Sequence, residues 1–192
     1  MPDFTIQGDP AAVRERAATT SAKAQLFWDT GEGLSKIDAS GWTGRAADHF
    51  RDAHDLEPDR WYEAGNGFSR AGAALTTYAG ELAAAQEVAA WAAGEYARGE
   101  QVTVSARSSY DAEVSELRAG LASGRYSSIS VLPFEDPGAA IRANALGELE
   151  AARSRLDHAA HTCADEVRAG CADAPEEPGW LESGLRFVGG VL

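Results

Sequence analysis

From Trp61 to Tyr96 the chain sets its side chains in alternating steps of four and three residues, the spacing that keeps one stripe of an α-helix facing a neighbour. One set of positions in the stripe holds Trp61, Phe68, Leu75, Leu82, Ala89 and Tyr96; the other holds Gly65, Gly72, Ala79, Gln86 and Ala93. Large and small residues alternate, so a second helix can come close opposite the small ones. The register continues weakly through Thr103, Tyr110, Val114, Leu117 and Leu121. The spacing therefore predicts one helix from about 59 to about 122. Gly94 and Gly99 are its expected weak points, because glycine inside a helix costs about 1 kcal/mol relative to alanine.

The rest of the chain supplies partners for that stripe. Asp9 followed by Pro10 is a helix start, an N-cap oxygen before a residue suited to the first helical position. Val13, Ala17, Thr20, Ala24, Phe27, Gly31 and Leu34 then recur at steps of four and three, giving a helix from about 10 to about 37. The turn-rich run Asp38-Ala39-Ser40-Gly41-Trp42-Thr43-Gly44 reads as a helix–helix connection. A further helix begins at about Thr43 or Gly44 with Ala46, Ala47, Phe50 and Leu56 apolar, and Pro58 predicts a kink or restart at residues 57–59. Residues 123–135 read as a loop. Asp136-Pro137-Gly138 repeats the Asp-Pro start and opens a last helix through Ile141, Ala145, Leu149, Ala152, Leu156, Ala160, Cys163 and Val167 to about Gly170. Residues 173–179 read as a proline-stiffened linker, and Trp180 to Leu192 as a truncated amphipathic tail. The expected fold is all-α, an elongated helical hairpin or bundle with one very long central helix and a third, returning helix. Its expected parts are residues 1–122, 123–172 and 173–192.

Composition supports long helices and narrows function. Of 192 residues 44% are hydrophobic, with alanine dominant and aromatics only 8%, a mix that suits close helix packing and argues against a β-sandwich. A formal charge of −13, spread along the chain, excludes a phosphate-tracking surface and hence nucleic-acid binding. No apolar run is long enough for a membrane span, and Met1-Pro2-Asp3-Phe4 lacks the basic start and apolar stretch of a signal peptide. The chain is expected to be made in the cytoplasm, and any export must use another address.

Chemistry is sparse. The acids are spaced as solvated helix faces rather than as a catalytic pair. His158 and His161 share a helix face near Cys163 but supply too few ligands for a closed metal site. Cys163 and Cys171, about 12 Å apart along a helix, cannot bridge unless the helix ends first. No phosphate loop, nucleophile elbow or zinc-protease motif is present. No catalytic residue, metal or cofactor is expected, and the chain reads as a non-enzyme.

The remaining signal is Trp42-Thr43-Gly44 between two amphipathic helices, with Tyr96-Ala97-Arg98-Gly99-Glu100 downstream. Together with Phe4-Thr5-Ile6-Gln7-Gly8-Asp9-Pro10, Arg45-Ala46-Ala47-Asp48-His49-Phe50-Arg51, Pro58-Asp59-Arg60-Trp61 and Ala73-Ala74-Leu75-Thr76-Thr77-Tyr78-Ala79, it resembles the Trp-x-Gly superfamily of type VII secretion substrates. In particular it looks like the N-terminal targeting domain of long secreted proteins and polymorphic toxins of actinobacteria. The resemblance covers about residues 4–100. It implies a helical hairpin that packs with another hairpin and is exported as a folded pair, with a composite export signal. Trp42 and Gly44 would form one part of that signal, and Tyr96 and Glu100 the other. It also implies partners: a small hairpin protein of the same superfamily or a second copy, and the secretion ATPase. Phe27, Leu34, Phe50, Trp61, Phe68, Leu75 and Leu82 form the expected packing seam. Trp42 is expected to bury its ring at the bundle tip while Gly44 keeps the backbone close to a neighbouring helix. The alternative is a self-contained oligomerising coiled-coil stalk unrelated to secretion, which the same register would serve.

Overall fold

Helix starts account for most of the element boundaries. The computed structural model describes residues 2–55 and 57–172 and contains four helices: α1 (Pro10–Ser35), α2 (Arg45–His54), α3 (Glu57–Ala122) and α4 (Ala139–Ala172). Among the described residues there is no strand, and the fold is an all-α helical bundle. The expected linker and tail at 173–192 lie outside the described residues, as does Leu56.

Asp9 caps α1, its carboxylate accepting from the backbone N–H of Ala11 at 2.8 Å and of Ala12 at 3.1 Å. Two of the orphan donors of the first turn are thereby satisfied. The helix ends at Ser35, slightly earlier than its periodicity suggests, because the chain tightens there: Lys36 N–H donates to Gly33 and Ile37 N–H to Leu34. The expected interruption at Pro58 is a clean break. α2 ends at His54 and α3 begins at Glu57, so Pro58 falls in a first turn, where its missing N–H leaves no bond unmade. α4 opens three residues after Asp136, whose carboxylate accepts from Gly138 N–H at 2.9 Å.

The chain forms two units, one of residues 9–80 with 159–172 and one of residues 2–8 with 81–158. In the first, α1 runs antiparallel to the start of α3 with bulk set against glycine. The Trp28 ring lies where a side chain at Gly65 would be, and its Nε1–H donates to Asn66 Oδ1 at 3.2 Å. Gly31 lies against Trp61 and Tyr62, and Gly72 against Ser21 and the Ala17 carbonyl. Phe27 packs between Trp61, at 5.3 Å between ring centroids, and Phe68, at 5.1 Å. A different face of α3 meets α4 at a backbone-to-backbone approach: a Cβ on Gly170 would lie 2.6 Å from the Gly67 carbonyl oxygen. Arg70 and Glu166 form an ion pair beside that contact.

In the second unit the core is built from Ala89, Ala92, Ala145 and Leu149, with Phe4, Ile6 and Tyr96 packed against it. Residues 2–8 form a strap in this unit. Gln86 Nε2 donates to the carbonyls of Ile6 at 3.2 Å and Gly8 at 2.9 Å, and Arg153 donates to the Asp3 carbonyl at 2.8 Å. Gly8 has φ of +125° and lies on Leu82, only 1% exposed. The alternating Phe4 and Ile6 put two side chains on one side of an extended segment, each worth about 1.5–3 kcal/mol when fully buried.

The expected stripe is covered by the chain itself. Every position from Trp61 to Tyr96 in the four-and-three register is buried or half-buried. Gly99, expected to be a weak point, is a packing position against Gly138 and Arg142; Gly94 is exposed, with no described atom within 4 Å of where its Cβ would be.

Candidate functional site

The connection between α1 and α2 is a built turn. Asp38 accepts from Ser40 N–H at 2.8 Å, and these Ser40 hydrogen bonds hold the Asp38 carboxyl below its ordinary range. Trp42 N–H donates to the Ala39 carbonyl at 3.1 Å. Gly44 is the N-cap residue of α2 with φ +99° and ψ 174°, a backbone region open essentially to glycine alone. Its carbonyl accepts from Ala47 and Asp48 and starts the helix.

Two expectations are corrected here. The Trp42 ring is not buried; the residue is 57% exposed. The inward face of α2 is filled by Ala47, and Trp42 lies instead against Phe50, ring centroids 5.2 Å apart. Gly44 does not serve a close helix approach, since no described atom lies within 4 Å of where its Cβ would be. The glycine serves the backbone angle.

Three rings hold this corner. Phe50 stacks on His54 at 5.1 Å, and His54 Nε2 lies 2.8 Å from the Leu34 carbonyl oxygen; a carbonyl only accepts, so the ring nitrogen donates. Arg51 donates to the Trp42 carbonyl at 2.6 Å and to Asp48 at 2.8 Å. The stack runs from the exposed indole through Phe50 to the last turn of α1.

Tyr96 and Glu100 belong to the other unit, one helical turn apart on α3. Tyr96 is half-buried, with Phe4 edge-on at 5.6 Å. Glu100 pairs with Arg142 Nε at 3.1 Å. The Arg142 side chain, 19% exposed, also donates to Asp136 at 2.6 Å and to the Thr103 hydroxyl at 2.5 Å. The Thr103 hydroxyl donates in turn to Asp136. Thr103 first and Arg142 next hold the Asp136 carboxyl below the carboxylate range, and Asp136 raises Arg142. The sequence names Thr103 only as a register position and Asp136 only as a helix start, and does not point to Arg142; the signal available was a basic residue one turn into the helix that follows Asp136-Pro137.

Of the seam residues, Phe27, Leu34, Phe50, Trp61, Phe68 and Leu75 are half-buried and lie in the first unit, while Leu82 is in the second. Among the described residues no group of three His, Cys, Asp or Glu side chains is placed to hold a metal ion. α4 continues past Cys171, so both thiols are free. Cys163 is buried, which raises its thiol pKa. No described helix is long and apolar enough to cross a membrane.

Among known families, the model described as "Putative T7SS secretion signal domain" matches residues 2–178. No curated protein and no solved structure matches the chain.

Proposed function

The chain belongs to this family of type VII secretion (T7SS) signal domains and is secreted through the type VII system, and from that premise we propose that it is a non-enzymatic targeting and partner-binding domain exported as a folded helical bundle. The family match carries the reading. The exposed indole of Trp42, held on Phe50 at the α1–α2 connection, supports it as a surface within reach of a recognition partner. Burying an aromatic of this size is a large source of binding energy.

Within type VII substrates we read the chain as a member of the Trp-x-Gly superfamily, an actinobacterial targeting domain of the kind that precedes toxin domains. Trp42 and Gly44 form the first part of its export element, and Tyr96 and Glu100 the second. Its partners in this reading are the secretion ATPase and a small helical hairpin protein. The Phe27, Trp61 and Phe68 part of the seam is taken up inside the chain by α1 against α3, so in this reading the hairpin meets the outer surface of the bundle, with the exposed Trp42 as its contact. A stalk unrelated to secretion is disfavoured by the family match.

The test is export from the native host. Trp42→Ala and Gly44→Ala are expected to accumulate inside the cell with helicity by circular dichroism close to that of the parent chain. Undiminished secretion of both variants overturns the assignment of this turn to export.

A further inference from the structure

The second unit holds a groove that the export reading does not use. It encloses about 710 Å³ between the C-terminal part of α3 and the run that leads into α4. Tyr110, Val114 and Leu117, spaced to share one helix face, form one wall, and residues 130–137 form the other. The second wall is anchored: Tyr110 Oη donates to the Leu132 carbonyl at 2.8 Å. Phe134 meets the Tyr110 ring edge-on at 5.5 Å, under the Arg107 guanidinium at 5.0 Å.

Three features of this groove point to one kind of occupant. The first is backbone. Pro133 has no N–H; among the described residues, the N–H groups of residues 128–132, 134 and 135 donate to no protein acceptor, and of the run's carbonyls Leu132 alone is engaged. An anchored stretch of unpaired backbone is a template for another peptide chain. The second is apolar surface: Leu132 is 79% exposed, the most of any large apolar residue described, and Val131 is exposed beside it. The third is charge. Glu113 and Glu135 line the groove without an ion-pair partner among the described residues, and no Lys or Arg lines it. Asp136 is committed to Arg142 and Thr103, and Arg107 to Asp111 and the two rings.

We propose that this groove binds a basic peptide segment in extended conformation. Its backbone pairs with residues 128–135, one bulky apolar side chain lies against Tyr110, Val114 and Leu117, and flanking Lys or Arg residues meet Glu113 and Glu135. The backbone sets the conformation of the guest and the carboxylates select its charge, a division in which electrostatic complementarity supplies specificity. A small molecule would leave the unpaired backbone unused. A second copy of this chain, itself at −13, would bring like charge to the carboxylates.

The probe is a fluorescein-labelled synthetic peptide of alternating lysine and valine with one central leucine, titrated into the full chain by fluorescence anisotropy. Binding is expected to weaken by about tenfold or more in Glu113→Lys with Glu135→Lys. It should be little changed in Glu15→Lys with Glu63→Lys, which alters net charge equally at exposed acids elsewhere. Amide hydrogen exchange of residues 128–132, 134 and 135 should slow when the peptide is bound. Failure of the peptide to bind overturns the proposal, and so does equal weakening in the two double variants, which marks a net-charge effect only. Equal binding of a peptide with glutamate in place of lysine, or binding with exchange of those amides unaltered, overturns it as well. So does sedimentation showing a dimer that the peptide does not disturb.

Discussion

The corner around Trp42 and the contact around Tyr96 each set an aromatic side chain beside a second ring, yet they spend those aromatics in opposite ways. At the corner, the indole lies on Phe50 with more than half of its surface in water, and the backbone beneath it is held at φ +99° by Gly44. At Tyr96, the ring is packed with Phe4 against Ala89, Ala92, Ala145 and Leu149, and Glu100 one turn on is paired to Arg142. Burial makes a side chain part of what the fold rests on. Exposure of a large ring over a fixed turn leaves it available to something else.

The largest effect that would sharpen this contrast is on stability. Tyr96→Ala is expected to cost about 2–3 kcal/mol in urea unfolding, since it removes a packed ring from the core. Trp42→Ala is expected to cost less than about 1 kcal/mol. Reversal of that order would break the comparison. Next in size is Gly44→Ala, expected to cost about 1–2 kcal/mol because alanine must adopt a backbone region that carries strain of that order. Its signature is faster amide exchange confined to the first turn of α2. A Gly94→Ala control, at an exposed helical position, should gain about 0.5–1 kcal/mol.

A smaller effect depends on pH. Asp136 has its folded pKa depressed by Thr103 and Arg142, so its contribution is present above the unfolded value of about 3.9 and is lost as pH falls through the folded value. The stability difference between the parent and Asp136→Asn should therefore shrink in acid unfolding profiles below about pH 4. A difference that persists undiminished in acid would contradict the Thr103–Arg142 network. The smallest expected effect is that of Glu100→Gln. Glu100 is exposed, and an exposed ion pair adds little, so the thermal midpoint should stay near that of the parent chain. Any loss of export in that variant would then reflect recognition rather than folding.

Long-range periodicity and helix starts were legible in the sequence. The Trp61–Tyr96 register is the face that α1 and residues 2–8 cover, and Asp9-Pro10 and Asp136-Pro137 do precede helices. The α4-facing side of α3 was not legible in the same way. Ala64, Gly67, Ala85, Ala92 and Gly99 are buried, but alanine and glycine add almost nothing to an apolar pattern, and here the contact is backbone against backbone. The strap at residues 2–8 has no packing signature in the sequence, because a short extended run gives only two alternating apolar positions, Phe4 and Ile6. The exposure of Trp42 could not be read from its type. Indole exposure depends on which face of α2 turns inward, and that is settled by Ala47 and Phe50 after the turn is made.

The Gly67–Gly170 contact restricts the way α3 and α4 can lie together in their unit. Two helices joined by leucine-like side chains can slide past one another by a turn and repack. Two helices that touch at bare backbone cannot, because a shift of one turn brings Glu166 in place of Gly170, or Ala71 in place of Gly67, to the point of closest approach. A side chain there would force the axes apart. The pair therefore has one axial setting, and a chain with this contact would rejoin in the same alignment after any local opening rather than settle into a near neighbour of it.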